Sequence, residues 1–389
     1  MHPPRHCPRR SCANFYTPPP NWFIRYGTYS TAAHGTVQRY QCRRCHTTVS
    51  DQSRSLHFFA KRRLPLQAIW LSLLEGSSQR GIARRYHTTA STIQTAVLRL
   101  GRQAMAAQLM LLTALKPQPI VVYDGLRSCV SSQDYPCDIT TVVEPVGETI
   151  LTMSHSVMVR GGRMREAQRR RLARKLARWR PERGRMSRDI ARIYREIWGY
   201  LRAPPGGAAM IDTDEHPLYR WRLAADAIAR HLKAAGALVH RRTPGSAPRT
   251  MDNRLFAVNY IDRLLRHRLK EHTRESIAIG RSATMQMHRA WIFAIDLNCL
   301  REYRVKRPFL GRHAEQGAVD PEVVRRIASG LFTERIEVRG AEVPETISMV
   351  WAGQLPSPPV RWKVGQKHMR IRIPRYALED LASAYQHTA

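Results

Sequence analysis

The sequence predicts a mixed α/β domain preceded by two small modules, one tied together by cysteine pairs and one helical. Three observations predict this. Cysteines come in two close pairs, Cys7 with Cys12 and Cys42 with Cys45. Residues 77–100 then place apolar side chains at helical spacing on both sides of a short polar break. Beyond a proline stop at Lys116-Pro117-Gln118-Pro119, β-branched runs alternate with amphipathic stretches, and three aspartates fall beside them.

Composition narrows the partner class. A chain of 389 residues, 43% of them apolar, is long enough for two or three domains with separate cores. Lys and Arg number 64 against 30 Asp and Glu, a formal charge of +34. So large a charge repels itself in a compact state unless a polyanion neutralises it, which makes nucleic acid the expected partner. A basic membrane-surface protein would need an amphipathic or lipidated anchor, and the sequence offers neither. The start, MHPPRHCPRRSC, has no apolar segment of the kind a secretory signal requires. The longest apolar stretch, 104–115, is interrupted by Gln108 and is too short to cross a bilayer. Seven cysteines with four in two pairs is metal spacing in a reducing compartment rather than a disulfide framework. An intracellular protein is expected.

Residues 1–58, rich in Pro, Arg, Cys and Tyr, read as a zinc ribbon with short strand pieces such as Arg39-Tyr40-Gln41. Structural zinc takes four ligands tetrahedrally, and short spacers let each cysteine pair chelate from a tight turn. The neighbouring Arg9, Arg10, Arg43 and Arg44 favour the thiolate form. Cys7, Cys12, Cys42 and Cys45 are the expected ligands, with His2, His6 and His46 as possible substitutes. Cys129, Cys137 and Cys299 lie elsewhere and read as ordinary core or surface residues.

Residues 59–116 read as a helix-turn-helix domain. A first helix would bury Ile82 and Ala83, a turn would fall near His87-Thr88, and a second helix from about Ala90 would bury Ile93 and Val97. Ser91, Thr92, Gln94 and Thr95 are of the size and polarity that meet base edges in the major groove, and Arg80, Arg84 and Arg85 could grip phosphate. A plain helical hairpin would show the same periodicity; the charge favours the DNA-reading version. Residues 104–115 would continue as a connecting or dimerising helix.

Residues 117–305 carry strand-like runs at 120–123, 139–143 and 149–159, then a long Arg-rich helical segment within 160–203, spanning about 163–201. A fourth strand at 208–211, a helix at 217–234, a fifth strand at 237–240 and a helix at 256–271 complete the order, which is that of the ribonuclease-H-like fold. One more helix is expected at about 284–302. Asp124 follows the first run and Asp214 follows the fourth, so both sit at strand ends where a carboxylate can reach a cleft. Asp262 lies on the last helix beside its apolar stripe. Carboxylates are the hard ligands suited to paired divalent cations, which activate a nucleophile and stabilise a leaving oxygen in phosphodiester cleavage. Asp212 competes with Asp214, and Asn259 and Glu275 compete with Asp262. In the Arg-rich segment, Arg169, Arg170 and Arg171 would track backbone phosphates with Trp179 available for stacking, although such a charge run is commonly only a solvated face. Residues 306–389 form a basic tail of unassigned role. It has a possible helix at 321–331 capped by Asp320, a Pro-rich hinge at 356–359 and a possible basic strand or hairpin at 359–373.

At these residues the chain resembles bacterial insertion-sequence transposases of the zinc-ribbon, ribonuclease-H-like DDE/D group. The matching pieces are Gln38-Arg39-Tyr40-Gln41-Cys42-Arg43-Arg44-Cys45, Val122-Tyr123-Asp124-Gly125 and Thr213-Asp214-Glu215-His216-Pro217-Leu218-Tyr219. A further block runs from Asn259-Tyr260-Ile261-Asp262 through Arg274-Glu275-Ser276-Ile277-Ala278. The resemblance covers roughly residues 5–305 and not the tail. It implies a site holding Mg2+ or Mn2+ on Asp124, Asp214 and Asp262, which hydrolyses a transposon end and then drives attack of the freed 3′ hydroxyl on target DNA. It also implies double-stranded DNA as partner, a homo-oligomeric synaptic complex and a bacterial, nucleoid-associated cytoplasmic location. The sequence departs from the group's commoner glutamate at the third acid, and its first cysteine spacer is longer than two residues. Two other readings share features with this one: a non-catalytic DNA-binding regulator, and a ribonuclease or junction resolvase.

Overall fold

In the computed structural model, residues 3–273, 278–305, 308–359 and 373–384 are described. They fall into two compact units, residues 1–69 with 329–336 and residues 70–328 with 337–389.

The first unit holds α1 (Ala13–Tyr16) and an antiparallel sheet, β1 (Phe23–Thr31), β2 (Gly35–Cys42) and β3 (Thr48–Ser50), in that order. The β1–β2 ladder shifts register between Arg25 and Thr28, and Gly27 takes the positive φ (67°) that this bulge needs. Trp22, 3% exposed, packs with Cys7, Cys12 and Cys42, with Phe23 and Val49 against them, so the sulfurs form part of a small core. Glu334 accepts from both Arg5 and Arg54.

The chain continues through α2 (Leu66–Leu74), α3 (Gln79–Arg85) and α4 (Ala90–Thr113). Next come β4 (Ile120–Val130), β5 (Ser132–Glu144), β6 (Thr149–Val157), α5 (Glu166–Leu176), α6 (Arg185–Ile197), β7 (Ala209–Asp214), α7 (Pro217–Ala225), α8 (Ala227–Ala234) and β8 (Leu238–Thr243). The remaining helices are α9 (Phe256–Arg268), α10 (Ala283–Ile295), α11 (Pro321–Gly330), α12 (Glu345–Trp351) and α13 (Arg375–Ala384). The five strands of the second unit form one mixed sheet ordered β6-β5-β4-β7-β8. The β4–β5 and β5–β6 pairs are antiparallel, and the β4–β7 and β7–β8 pairs are parallel.

Strand alternation sends successive side chains to opposite faces, and both faces are covered. On one face Val121, Tyr123, Val142 and Ile211 pack against Ile190, Ile193, Tyr194 and Ile197 of α6 and Tyr219 of α7. On the other, Gln108 of α4 donates to the carbonyls of Ile150 and Leu151, and Asn298 bonds Ile150 through both its N–H and its C=O.

Several expected elements differ in extent. The 163–201 helix is broken into α5 and α6, with Pro181 and a left-handed Gly184 (φ 70°) between them. The 217–234 helix is two helices, because Asp226 leaves helical geometry and accepts from Ala229 N to cap α8. Residues 104–113 belong to α4, which runs 24 residues, is buried along most of that length and packs against α10. That stretch is therefore an interior strut and offers no dimerising face. Consequently α3 and α4 share a compact unit with the sheet beyond the prolines. Asp320 caps α11 through Glu322 N at 2.7 Å, while the suggested hairpin at 359–373 falls almost wholly outside the described residues.

The α4–α10 contact is close enough to require glycine at Gly101, where an added Cβ would lie 2.2 Å from His288 Nδ1. Gly101→Ala is expected to destabilise the protein by about 1–3 kcal/mol despite its better helix propensity, because a packed neighbour must shift. A lower urea midpoint at unchanged slope checks it.

Candidate functional site

Two groups of side chains stand out, one in each unit: four cysteines that could hold a metal ion, and a set of buried or half-buried carboxylates. In the first, α1 begins immediately after Cys12, and the Cys42–Cys45 turn closes β2 onto β3. Cys42 N donates to Thr47 O, His46 N donates to Cys42 O, and His46 takes a positive φ (57°) inside the turn. The four sulfurs lie within 4.8 Å of one another, with Cys7 and Cys45 3.4 Å apart and Cys12 and Cys42 3.8 Å apart. A tetrahedron with 2.3 Å arms has edges of about 3.8 Å, so this set could bind zinc. Asn14 Nδ2 donates to Cys42 Sγ (3.3 Å) and Arg9 N donates to Cys7 Sγ (3.4 Å), N–H bonds of the kind that hold thiolates in place.

Burial pushes the Cys7 and Cys12 thiols up. Burial acts the same way on Cys42 and Cys45. There it is outweighed by hydrogen bonds from Asn14 and the turn backbone to Cys42, and from Thr47 to Cys45, which stands at about 6. His6 bonds the Cys7 carbonyl and stacks edge-on with Phe15, and neither it nor His46 joins the sulfur cluster; His2 lies outside the described residues. Cys137 and Cys299 are core residues and Cys129 is half-buried.

In the second unit, the parallel ladder pairs Ile120 with Met210, Val121 with Ile211 and Val122 with Asp212. The ladder ends there; alternation two residues further puts Asp124 and Asp214 on the same face, and the charge of Asp214 acts on Asp124. Asp214 ends β7, as expected. Asp124 does not end its strand, because β4 runs on to Val130 against β5, beyond the reach of β7. Its carboxylate accepts from Gly125 N at 2.7 Å, and Asp214 Oδ1 accepts from His216 N at 2.8 Å. Asp262 comes from α9, which lies against β4 and β5. Its Oδ1 is buried and has no hydrogen-bond partner among the described residues.

These carboxylates feel one another. Burial raises Asp124 to about 6, opposed by the Gly125 N–H and reinforced by the charges of Asp214 and Asp138. Burial also raises Asp262 far above the ordinary carboxylate range, and the charge on Asp124 adds to it while Arg266 and Arg249 oppose it. The acids are looser than the sulfurs: among the described residues only the cysteines bring three or more such ligand atoms within 4.8 Å. Of the competitors, Asp212 is engaged by Arg241 through both oxygens (2.6 and 2.6 Å). Glu275 lies outside the described residues.

Sequence reading missed Asp138 and Tyr219. Asp138, 1% exposed, lies so close over Gly125 that a Cβ there would meet its Oδ2 at 2.4 Å. Arg127 (3.3 Å) and the Thr140 hydroxyl (2.8 Å) hold it. Its only signal in the sequence is an acid directly ahead of the apolar run 139–143. Tyr219, 1% exposed, packs edge-on to Tyr123 at 4.9 Å, with its titration raised by burial and then by Asp138, Asp124 and Asp214.

The helices α3 and α4 are joined by a turn at 86–89, and both are capped: Ser78 accepts from Gly81 N, and Thr89 accepts from Thr92 N. Ile82, Ala83, Ile93 and Val97 are buried as expected. Ser91 and Thr95 are exposed, Thr92 and Gln94 half-buried, and Arg80, Arg84 and Arg85 exposed. Thr92 is partly consumed by the cap, Thr95 donates to Ser91 O, and Arg85 donates to Ser72. The Arg-rich run divides by role. Arg169 is exposed, Arg170 pairs with Glu166, and Arg171 with Lys175 binds the buried Asp134 (2.9 and 2.7 Å). Arg171 is thus committed to an internal carboxylate, which burial made necessary. Trp179, half-buried, packs edge-on to Tyr135 at 5.2 Å.

No protein-family model matches the chain, and no curated protein matches it. Among the described residues, no helix is long and apolar enough to cross a membrane.

Two outcomes are expected. The purified protein should contain about one zinc per chain, and Cys12→Ser should lose both the metal and the Trp22 fluorescence of a folded ribbon. Intact ribbon signals in metal-free protein would overturn this. For Asp124, a folded-state pKa raised to about 6 means its ionisation opposes folding, a penalty absent below pH 4 and complete above pH 6. Asp124→Asn should therefore melt like wild type at pH 4 and higher than wild type at pH 7 in the absence of divalent cations. Parallel Tm–pH curves for the two proteins would refute it.

Proposed function

We propose that this chain is a DNA-cutting and DNA-joining enzyme, a transposase of the zinc-ribbon, ribonuclease-H-like DDE/D kind. The observation that carries the reading is that Asp124 on β4 and Asp214 at the end of the adjacent parallel β7 lie near enough for the charge of Asp214 to act on Asp124, with Asp262 supplied by a helix against the same sheet. The strand order, three antiparallel strands followed by two parallel ones, agrees with the ribonuclease-H-like arrangement.

The donor set fits hard divalent cations such as Mg2+ or Mn2+. It is all carboxylate, one buried oxygen on Asp262 has no hydrogen-bond partner among the described residues, and burial, with neighbouring carboxylates adding to it, opposes ionisation of Asp124 and Asp262. Asp124, Asp214 and Asp262 would hold such cations, which when bound activate the attacking oxygen and offset charge on the leaving one. The protein's own groups do the rest. Arg249 acts electrostatically on both Asp124 and Asp262, and Arg84, with the exposed first turn of α4, supplies the phosphate and base-edge contacts of a duplex reader. The net charge of +34 supports a polyanion as substrate. Handling both ends of a mobile element calls for at least a dimer.

One observation favours the runner-up, a regulator that binds DNA without cutting it: no three carboxylates among the described residues gather as tightly as the sulfurs do. Metal-dependent nicking of supercoiled or end-sequence DNA separates the two. Wild type should nick with Mg2+ or Mn2+, and Asp124→Ala should fall by about a hundredfold or more, the equivalent of several kcal/mol of lost charge stabilisation. Equal binding with no cutting by either protein leaves the regulator.

A further inference from the structure

The cysteine-bearing unit has a cleft that neither the metal cluster nor the acid site explains. About 460 Å³ in volume, it is lined by Tyr29, Arg39, Thr48, Val49, Ser50, Ser53 and Phe58, with Pro8 at its edge. Strand register explains the gathering. Tyr29 pairs with Val37 and Arg39 pairs with Ser50, so alternation puts Tyr29, Arg39 and Ser50 on one face of the small sheet. The segment after β3 brings Ser53 and Phe58 to that face as a wall.

The lining has the parts of a nucleotide site. Tyr29 offers a ring whose hydroxyl is anchored on Ser50 Oγ at 3.3 Å. The Arg39 guanidinium lies 5.4 Å from the centroid of the exposed Tyr26 ring and has no carboxylate partner among the described residues. Thr48, Ser50 and Ser53 supply short hydroxyls that both donate and accept. Electrostatics name the occupant's sign: the unit, residues 1–69 with 329–336, holds twelve Lys and Arg against two acids, Asp51 and Glu334. Aromatic rings interleaved with cations recognise unpaired bases by stacking, whereas duplex DNA shows its rings only at its ends.

We propose that this cleft binds an unpaired nucleotide of single-stranded DNA, separately from any duplex contact made by α3 and α4. The inference deepens the transposase reading, in which a cut end exposes unpaired bases, but its test reads binding alone and does not depend on cleavage. Full-length zinc-loaded protein without added magnesium is titrated into a fluorescent ten-nucleotide thymidine strand and into a fluorescent duplex of equal length at one salt concentration. Tyr29→Leu and Arg39→Gln should each weaken single-strand binding about tenfold, the scale of one lost stacking or charged contact, with duplex binding within about twofold. Each variant counts only at wild-type zinc content. If Tyr29→Leu loses zinc, Thr48→Trp, which fills the cleft from an exposed strand position, replaces it with the same expected outcome. Equal losses on both probes, meaning a general phosphate surface, or no loss on either would overturn the proposal. Either result would leave the nicking test of the acid cluster untouched.

Discussion

Carboxylates buried beside a parallel strand pair are the constraint around which the second unit is arranged. A parallel ladder sets equivalent positions of two strands side by side, so one register step decides whether Asp124 and Asp214 are neighbours or face opposite ways. Their proximity is unfavourable in itself, and the surroundings divide its cost. Gly125 donates its N–H to one carboxylate, the backbone at His216 serves the other, and Arg249 and Arg266 temper Asp262 from α9. Gly125 answers two demands at once, since its N–H holds Asp124 while its missing Cβ admits Asp138. Sites that tolerate such crowding are where cation chemistry is sought, because a cation removes the penalty that the fold otherwise carries.

The first unit meets the opposite problem, too little apolar mass for a core. Trp22 and the cysteines occupy its centre, and the sheet around them is short, with basic residues mostly outside its strands. Four sulfurs at tetrahedral spacing replace the missing hydrophobic contacts with a point of convergence. The same shortage leaves one sheet face poorly filled, so the cleft beside Tyr29 and Arg39 follows from the size of the unit.

Much of this was legible in the sequence where local chemistry decides the outcome. Paired cysteines with short spacers announce their convergence, Ser78 and Thr89 are residues that start helices, and a β-branched run marks β4 and a short apolar one β7. What stayed hidden depends on partners distant in the chain. Nothing local shows that Arg171 closes on Asp134, that Arg241 claims Asp212, or that Asp138 lies over Gly125. The length of β4 was hidden too, because its second half exists only through pairing with β5. Asp226 looked like one polar residue in an amphipathic helix, yet its side chain competes with the helix for backbone N–H groups and wins.

Helix α4 has a last consequence. Its 24 residues span about 36 Å, beginning at an exposed threonine-rich turn and ending beneath the sheet that carries Asp124. A rod clamped at its far end by α10 and by Gln108 leaves little slack, so any tilt imposed on the free tip is inherited by the sheet. One continuous helix thus joins the exposed turn before α4 to the sheet that carries Asp124.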